Sequence, residues 1–385
     1  MSKNNFLHIS DEIKNLKLKN TNNLFFYKYH SKYLKKLQGS NIDKTDPHYI
    51  STYSSFIGEV YENVIYELLL EYALASNKIE RFVLKGPHQN IQENFKNGLM
   101  IDQNQQIVYK AGYKDITEFD ALFFTKDSVC FVESTIVKTT VSLRKRLKKK
   151  HALLKVLFPK LQVKALIILS KGALGTSVFP SYCTIWITKP FENDKLLQTL
   201  IYNISKKKQL KFQKFNSKKL VDAKNISIGL FKYFDTLGWI LKNSRKSNDK
   251  VIDFKFLASK KLDNYFDIFT KVYVGYLNSK NFIELLQYLK ITTISEEIPI
   301  NDIKDDMVIV TVEKNKNSFE LIYYIKIHKG ALKKLEIKDN VLVVSNKDPK
   351  GFTASETKYL SYIFKTKFKL TFIDIKQVLN YDYFN

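Results

Sequence analysis

Sulfur is scarce in this chain of 385 residues: two cysteines, Cys130 and Cys183, each lie inside an apolar strand-like run. Buried free thiols are the ordinary outcome for such positions in an intracellular protein, so neither a disulfide framework nor a zinc site is expected. Long apolar runs are missing too, and nothing approaches the roughly 18 residues of a membrane-spanning helix. The opening segment MSKNNFLHISDEIKNLKLKN has no apolar core after its charges. It does not read as a secretory signal, and the expectation is a cytoplasmic protein with no membrane partner. No glycine-rich phosphate loop occurs, and no His, Cys or Ser arrangement has nucleophile or zinc spacing, so ATP use is not implied.

Acidic charge is the remaining shortage. Against 63 Lys and Arg stand 38 Asp and Glu, a formal net charge of +25. A field of that size favours a polyanionic partner, with nucleic acid ahead of an anionic membrane surface. A composition rich in Lys, Asn, Ile and Phe inflates lysine by itself, but it does not suppress Asp and Glu.

Length and pattern suggest more than one domain. Residues 1–49 are polar, with scattered aromatics, and suit an arm with a short helix. A helix is expected over 50–76, where Phe56, Val60, Val64, Leu68 and Tyr72 recur at helical spacing and Ile57, Tyr61, Ile65 and Leu69 widen the stripe. A short strand-like patch follows at Ile107 to Tyr109. Two β-rich runs, ITEFDALFF (116–124) and VCFVESTIV (129–137), read as a hairpin around Thr125-Lys126-Asp127-Ser128. A basic helix from Ser142 to Leu157 is next, with Leu143, Leu147, Leu154 and Leu157 on one side, and Pro159 ends it. Two further strands, VKALIILS and YCTIWIT, complete one domain over 50–190, an α/β mixed sheet flanked by helices. Residues 191–385 read as an α+β domain. Its expected helices are LLQTLIYNI, IGLFKYFDTLGWIL, NYFDIFTKVYVGYL and FIELLQYL, and its expected strands DMVIVTVE, FELIYYIKIH, NVLVVS and LTFIDI. Thr353 and Glu356 make a capping box that opens one more helix.

The chemistry concentrates in the hairpin. With Lys126 and Asp127 as turn residues, or 125–128 as a four-residue loop, Asp120 falls opposite Glu133; a three-residue loop would put them on opposite faces. Like charges directly paired across strands are destabilising, and such a pair calls for a cation. Glu118 shares the face of Asp120, and Thr135 that of Glu133, by the two-residue strand period. Oxygen donors of this kind suit Mg²⁺ or Mn²⁺, which can activate water and stabilise charge on a phosphate. Phe119, Ala121 and Phe123, with Val132, Ser134 and Ile136, form the expected core face, which leaves the acids either in a cleft or in water.

The helix GEVYENVIYELL (58–69) resembles a helix of Mrr-like members of the restriction-endonuclease-like, PD-(D/E)XK superfamily, and the strands EFDALFF and VCFVEST resemble the Asp and E-x-K strands of that superfamily. The resemblance covers about a third of the chain. It implies a metal-dependent nuclease using Mg²⁺ or Mn²⁺, with Glu62 as the helix-borne acid, Asp120 as principal metal ligand and Glu133 as the second acid. Glu59 substitutes for Glu62 if the helix is rotated. The motif lysine is replaced by Thr135, and Lys138 is expected to supply the displaced basic group, with Arg144 or Lys148 as alternatives. From Lys138 to Lys164 the chain carries only basic charge. Arg144, Lys145, Lys148 and Lys149 are expected to flank the catalytic edge and hold phosphates, while Arg146 and Lys150 lean away. His151 reads as a packing residue. The expected activity is phosphodiester hydrolysis, on DNA ahead of RNA, in restriction or defence, with a homodimer as one arrangement; the alternative is a degenerate nucleic-acid-binding protein of the same fold.

Overall fold

The structure, a computed structural model, describes residues 21–29, 36, 39–40, 42–89, 96–111, 114–188, 194–202, 210–226, 231–244, 252–269, 271–295, 298, 308–315, 318–326, 332–345 and 368–380. It divides into two compact units between Phe231 and Lys232. Its class is mixed α/β, with three sheets among the described residues. No helix among them is long and apolar enough to cross a membrane.

In the first unit the long helix α1 spans Pro47–Ala75. Asp46 caps it, its carboxylate accepting the backbone N–H of His48 at 2.7 Å, and Pro47 stands where no intrahelical donor is needed. Strand β1 (Arg81–Val83) follows, then β2 (Asn97–Ile101), β3 (Ile107–Ala111) and β4 (Lys114–Phe119), the last three forming a separate antiparallel sheet. Strands β5 (Ala121–Phe124) and β6 (Ser128–Thr135) make the hairpin, α2 (Val141–Leu157) crosses over, and β7 (Gln162–Ser170) and β8 (Cys183–Thr188) lie parallel to β6. Helix α3 (Asp194–Tyr202) and the two-residue strand β9 (Leu220–Val221) complete the unit. The main sheet has the order β8-β7-β6-β5-β1-β9.

Both faces of this sheet are covered. Ala121, Phe123, Cys130, Val132, Leu166 and Ile168 join Phe56, Val60, Ile65 and Leu69 of α1 in one core. The alternate residues Leu122, Phe124, Val129, Phe131 and Ile167 are as deeply buried on the other side, the side from which α2 reaches Glu133. The expected core face is therefore one of two, as the near-continuous apolar runs of these strands require.

Three expectations for the first unit need correction. The strand read over 116–124 is two strands in different sheets, broken at Asp120. In a hairpin that kept its register, the Ser134 N–H would meet the Phe119 carbonyl; it goes instead to the Asp120 carboxylate at 2.6 Å, and the chain leaves the sheet there. The compact first unit runs past residue 190, because Leu197, Leu200 and Ile201 of α3 join its core and β9 pairs in parallel with β1 at the sheet edge. The third concerns which basic residues of α2 reach the sheet, taken up with the site.

The second unit contains α4 (Tyr233–Asn243), a helical turn at Phe254–Leu257, α5 (Asp263–Phe269), β10 (Val272–Leu277), α6 (Ser279–Tyr288), β11 (Thr293–Ile294), β12 (Val308–Asn315), β13 (Ser318–Lys326), β14 (Leu332–Lys338), β15 (Val341–Val344) and α7 (Phe372–Leu379). Its sheet runs β10-β12-β13-β14-β15-β11. The helix expected across NYFDIFTKVYVGYL ends at Phe269, and VYVGYL is a wholly buried strand. LTFIDI, expected as a strand, instead starts α7: Thr371 and Asp374 cap it reciprocally, at 3.2 Å and 2.6 Å. Strand β14 was not expected. The helix assigned to the Thr353 and Glu356 capping box lies outside the described residues.

Gly86 lets the backbone approach the Tyr27 ring closely. Its φ is +62°, and a Cβ there would lie 2.3 Å from the Tyr27 ring. Gly86→Ala should cost about 2–4 kcal/mol, from the left-handed backbone and the overlap together. The urea unfolding midpoint measures it.

Candidate active site

An open cleft of about 700 Å³ lies where β6 ends and β5 begins. Helix α1 lines it with Ser51, Ser55, Gly58, Glu59 and Glu62, a polar strip at helical spacing. Glu118 from β4 and Asp120 from the bend enter from a second side. Glu133, Ser134 and Thr135 of β6 form the floor, and Arg146 of α2 closes a third side.

The hairpin register places the two principal acids. Ala121 pairs with Val132 and Phe124 with Val129, leaving Lys126 and Asp127 as the turn, and the same register continued by one step sets Asp120 opposite Glu133. Asp120 is turned by its bonds to Ser134: the backbone N–H at 2.6 Å and the hydroxyl at 2.9 Å both donate to Oδ2. Glu133 is 3% exposed and takes its counter-charges from α2, ion-paired with the equally buried Lys150 and with Arg146 at 3.3 Å. Burial pushes the Glu133 carboxyl above its usual range and Asp120 adds to this, while Lys150 and Arg146 pull it back. Lys150 loses by burial but gains more from Glu133 and Asp120, so it stays an ammonium.

Glu62 has no such partner. Among the described residues it makes no hydrogen bond or ion pair. Its carboxyl is held well above the usual range, first by burial and then by the charge of Asp120, against a smaller pull from Lys85. Lys85 itself is fully buried, donates to Gln106 Oε1 at 3.2 Å, and lies 5.1 Å from the centre of the Tyr66 ring. Burial lowers its pKa while Asp120 and Glu62 oppose the shift. Behind the cleft, Glu67 is buried and satisfied by Tyr27 Oη at 2.7 Å, Asn23 Nδ2 at 3.1 Å and His88 Nε2 at 2.6 Å.

The structure thus brings Glu62, Asp120 and Glu133 to one cleft, with Glu118 and Glu59 beside them. Lys138 is not among the residues that line it; it is exposed, and its carbonyl accepts the Leu174 N–H at 2.7 Å. Arg144, Lys145 and Lys148 are exposed and Lys149 half-buried, whereas Arg146 and Lys150, expected to lean away, reach Glu133. The leucine stripe of α2 is buried as expected, but the basic residues that reach the acids are the opposite set from those expected. The sequence held the signal: Lys150 completes the buried series Leu143, Leu147, Lys150, Leu154, Leu157 at alternating steps of four and three. His151 stacks on Tyr182 at 3.7 Å, and burial pushes its pKa down to about 4, so it is neutral. Lys85 carried no sequence signal, being a lone lysine after a three-residue strand.

All donors facing the cleft are oxygens, which fits a hard cation and not zinc. Among the described residues no three acids, histidines or cysteines converge closely enough to enclose an ion alone. Mg²⁺ does not require that, since one or two carboxylates with water and phosphate oxygens complete its shell. No protein-family model matches the sequence, and no curated protein sequence matches it.

Two measurements probe this charge arrangement. Lys150→Met strands a dry carboxylate and should cost about 3–5 kcal/mol in urea unfolding, with Glu133→Gln in the same chain restoring most of it. Glu62→Gln should raise the unfolding midpoint at pH 7–8 and have no effect well below the free glutamate value of about 4.3. The sign follows from the raised pKa: protonated Glu62 contributes its full stability below the unfolded value and loses it as pH rises through the folded one, whereas Gln is neutral throughout.

Proposed function

We propose that the first unit is a metal-dependent nuclease of the restriction-endonuclease-like, PD-(D/E)XK kind, hydrolysing phosphodiester bonds of DNA or RNA with Mg²⁺ or Mn²⁺. The observation that carries this reading is the meeting of acids from three elements in one cleft, Glu62 from α1, Asp120 from the bend and Glu133 from β6, over a buried lysine. Asp120 and Glu62 are the residues that would hold the ion, with Glu133 beside them. When bound it would supply Lewis-acid polarisation of the phosphate and an acidified water. Lys150 takes the place expected of Lys138 as the basic group at the acids: its charge opposes the rise of the Glu133 pKa and lies against that carboxylate. Arg146, half-exposed at the rim, would pair with a phosphate oxygen in the same charge-assisted way that it pairs with Glu133. The outer face of α2, with Arg144, Lys145 and Lys148 exposed, holds the backbone, and no acid opposes it anywhere between Glu133 and Glu192.

One observation favours a second reading, a non-catalytic nucleic-acid-binding protein. Glu133 already has two cationic partners, so it rests without a metal.

Cleavage of supercoiled plasmid and of single-stranded oligonucleotides in Mg²⁺ or Mn²⁺ decides between them. Wild type should cut; Asp120→Asn should lose at least about 100-fold in rate, the scale of removing one transition-state interaction, and keep its affinity. Lys145→Ala and Lys148→Ala should weaken binding alike on all sequences and reduce the salt slope by about 0.9 for each phosphate that the variant no longer neutralises. A wild type that binds in this salt-dependent way and never cuts establishes the second reading.

A further inference from the structure

Beyond Thr135 the chain leaves the sheet and is stapled to the loop after β7. The Leu174 N–H donates to the Lys138 carbonyl at 2.7 Å, Thr139 and Leu174 form a parallel bridge, and the Thr140 hydroxyl donates to the carbonyls of Leu174 at 2.8 Å and Gly175 at 3.1 Å. Thr140 is fully buried while its neighbours on both sides are exposed. Gly175 has φ of +79°, and a Cβ there would come within 3.0 Å of the Thr140 hydroxyl, so the loop closes on Thr140 only because that position is glycine. Two segments far apart in sequence are thereby fixed as one tip.

The tip is aliphatic and uncovered. Val137 is 52%, Val141 71% and Leu174 67% exposed. Among the described residues of the first unit only Ile50 and Ile187 show comparable aliphatic exposure outside these two segments. Single exposed aliphatics are ordinary, but three on one braced tip mark a surface that meets something apolar. The tip adjoins the acid cleft, which Ile136 and Val137 line. Its collar is cationic: Lys138, Arg144, Lys145 and Lys171 are all exposed, and no acid lies in this stretch of chain. A partner apolar inside and anionic outside matches the base stack and backbone of a nucleic acid.

We propose that the tip formed by Val137, Val141 and Leu174 enters the base stack of bound nucleic acid, unstacking the step next to the phosphate held in the acid cleft. Aliphatic side chains driven between base steps kink and open a duplex in this way, and steps already weakened by a mismatch or gap admit them at least cost. The inference rests on the nuclease reading for the position of the phosphate, and it gives that reading a substrate preference: duplex with a deformable or interrupted stack over intact, stiff duplex.

Duplex oligonucleotides carrying 2-aminopurine at successive positions test it, using the full chain with Ca²⁺ in place of Mg²⁺. Wild-type binding should raise the fluorescence several-fold at one or two adjacent positions. Val141→Ser combined with Leu174→Ser, both on exposed side chains, should abolish that rise yet change affinity by no more than about threefold, because phosphate contacts dominate binding. A saturated wild-type complex with flat fluorescence at every position overturns the wedge, as does a double variant that keeps the rise. Sedimentation showing wild type associated and the double variant monomeric overturns it in favour of a contact between copies of this chain. Cutting in Mg²⁺ with flat fluorescence removes the wedge and leaves the nuclease; a fluorescence rise without cutting does the reverse; no binding to any oligonucleotide removes both.

Discussion

A carboxylate taken out of water needs a cation or hydrogen-bond donors close by, and at Glu133 that requirement decides how α2 lies on the sheet. Glu133 points to the face that α2 covers, deep enough to be 3% exposed, and the only way to keep its charge there is to bring Lys150 and Arg146 against it. The leucines at 143, 147, 154 and 157 bury the same side of the helix, so apolar packing and ion pairing demand one phase. Glu62 belongs to the helix on the opposite face, and a sheet normally keeps residues from its two faces apart. They meet only at a strand end, and the break at Asp120 supplies one: the Asp120 carboxylate takes the Ser134 N–H, the ladder stops, and the cleft opens between the layers.

The parts of the site set by local rules were legible in the sequence. A two-residue turn at Lys126 and Asp127 fixes the register, and with it the approach of Asp120 to Glu133. The apolar stripe of α1 located that helix to within three residues at its start, the difference being the Asp46 and Pro47 start signals. What escaped depended on distant partners. Lys150 looked like a solvated lysine because long cationic side chains usually carry their charge out to water; only the position of Glu133 turns it inward. Lys85 and the strand β9 owe their roles to neighbours far along the chain. In the second unit, VYVGYL and TFIDI are short apolar runs that fit either periodicity, and Thr371 with Asp374 was the local cue that resolves one of them.

The two acids differ in what a new cation can ask of them. Releasing Glu133 from Lys150 would leave a dry ammonium unpaired, at a cost of about 3–5 kcal/mol. Glu62 asks for nothing comparable: it has no hydrogen bond or ion pair among the described residues to give up, and burial and the charge of Asp120 hold its carboxyl above the usual range against a smaller pull from Lys85. On the proposed reading a cation in the cleft would gain most at Glu62 and Asp120, where it would relieve repulsion, and least at Glu133, where it would compete with an existing charge. The lysine thus fixes one acid and leaves the other two to the cleft. On the metal-dependent reading proposed above, the raised pKa of Glu62 would make cation binding weaken as the pH falls and that carboxyl takes up its proton.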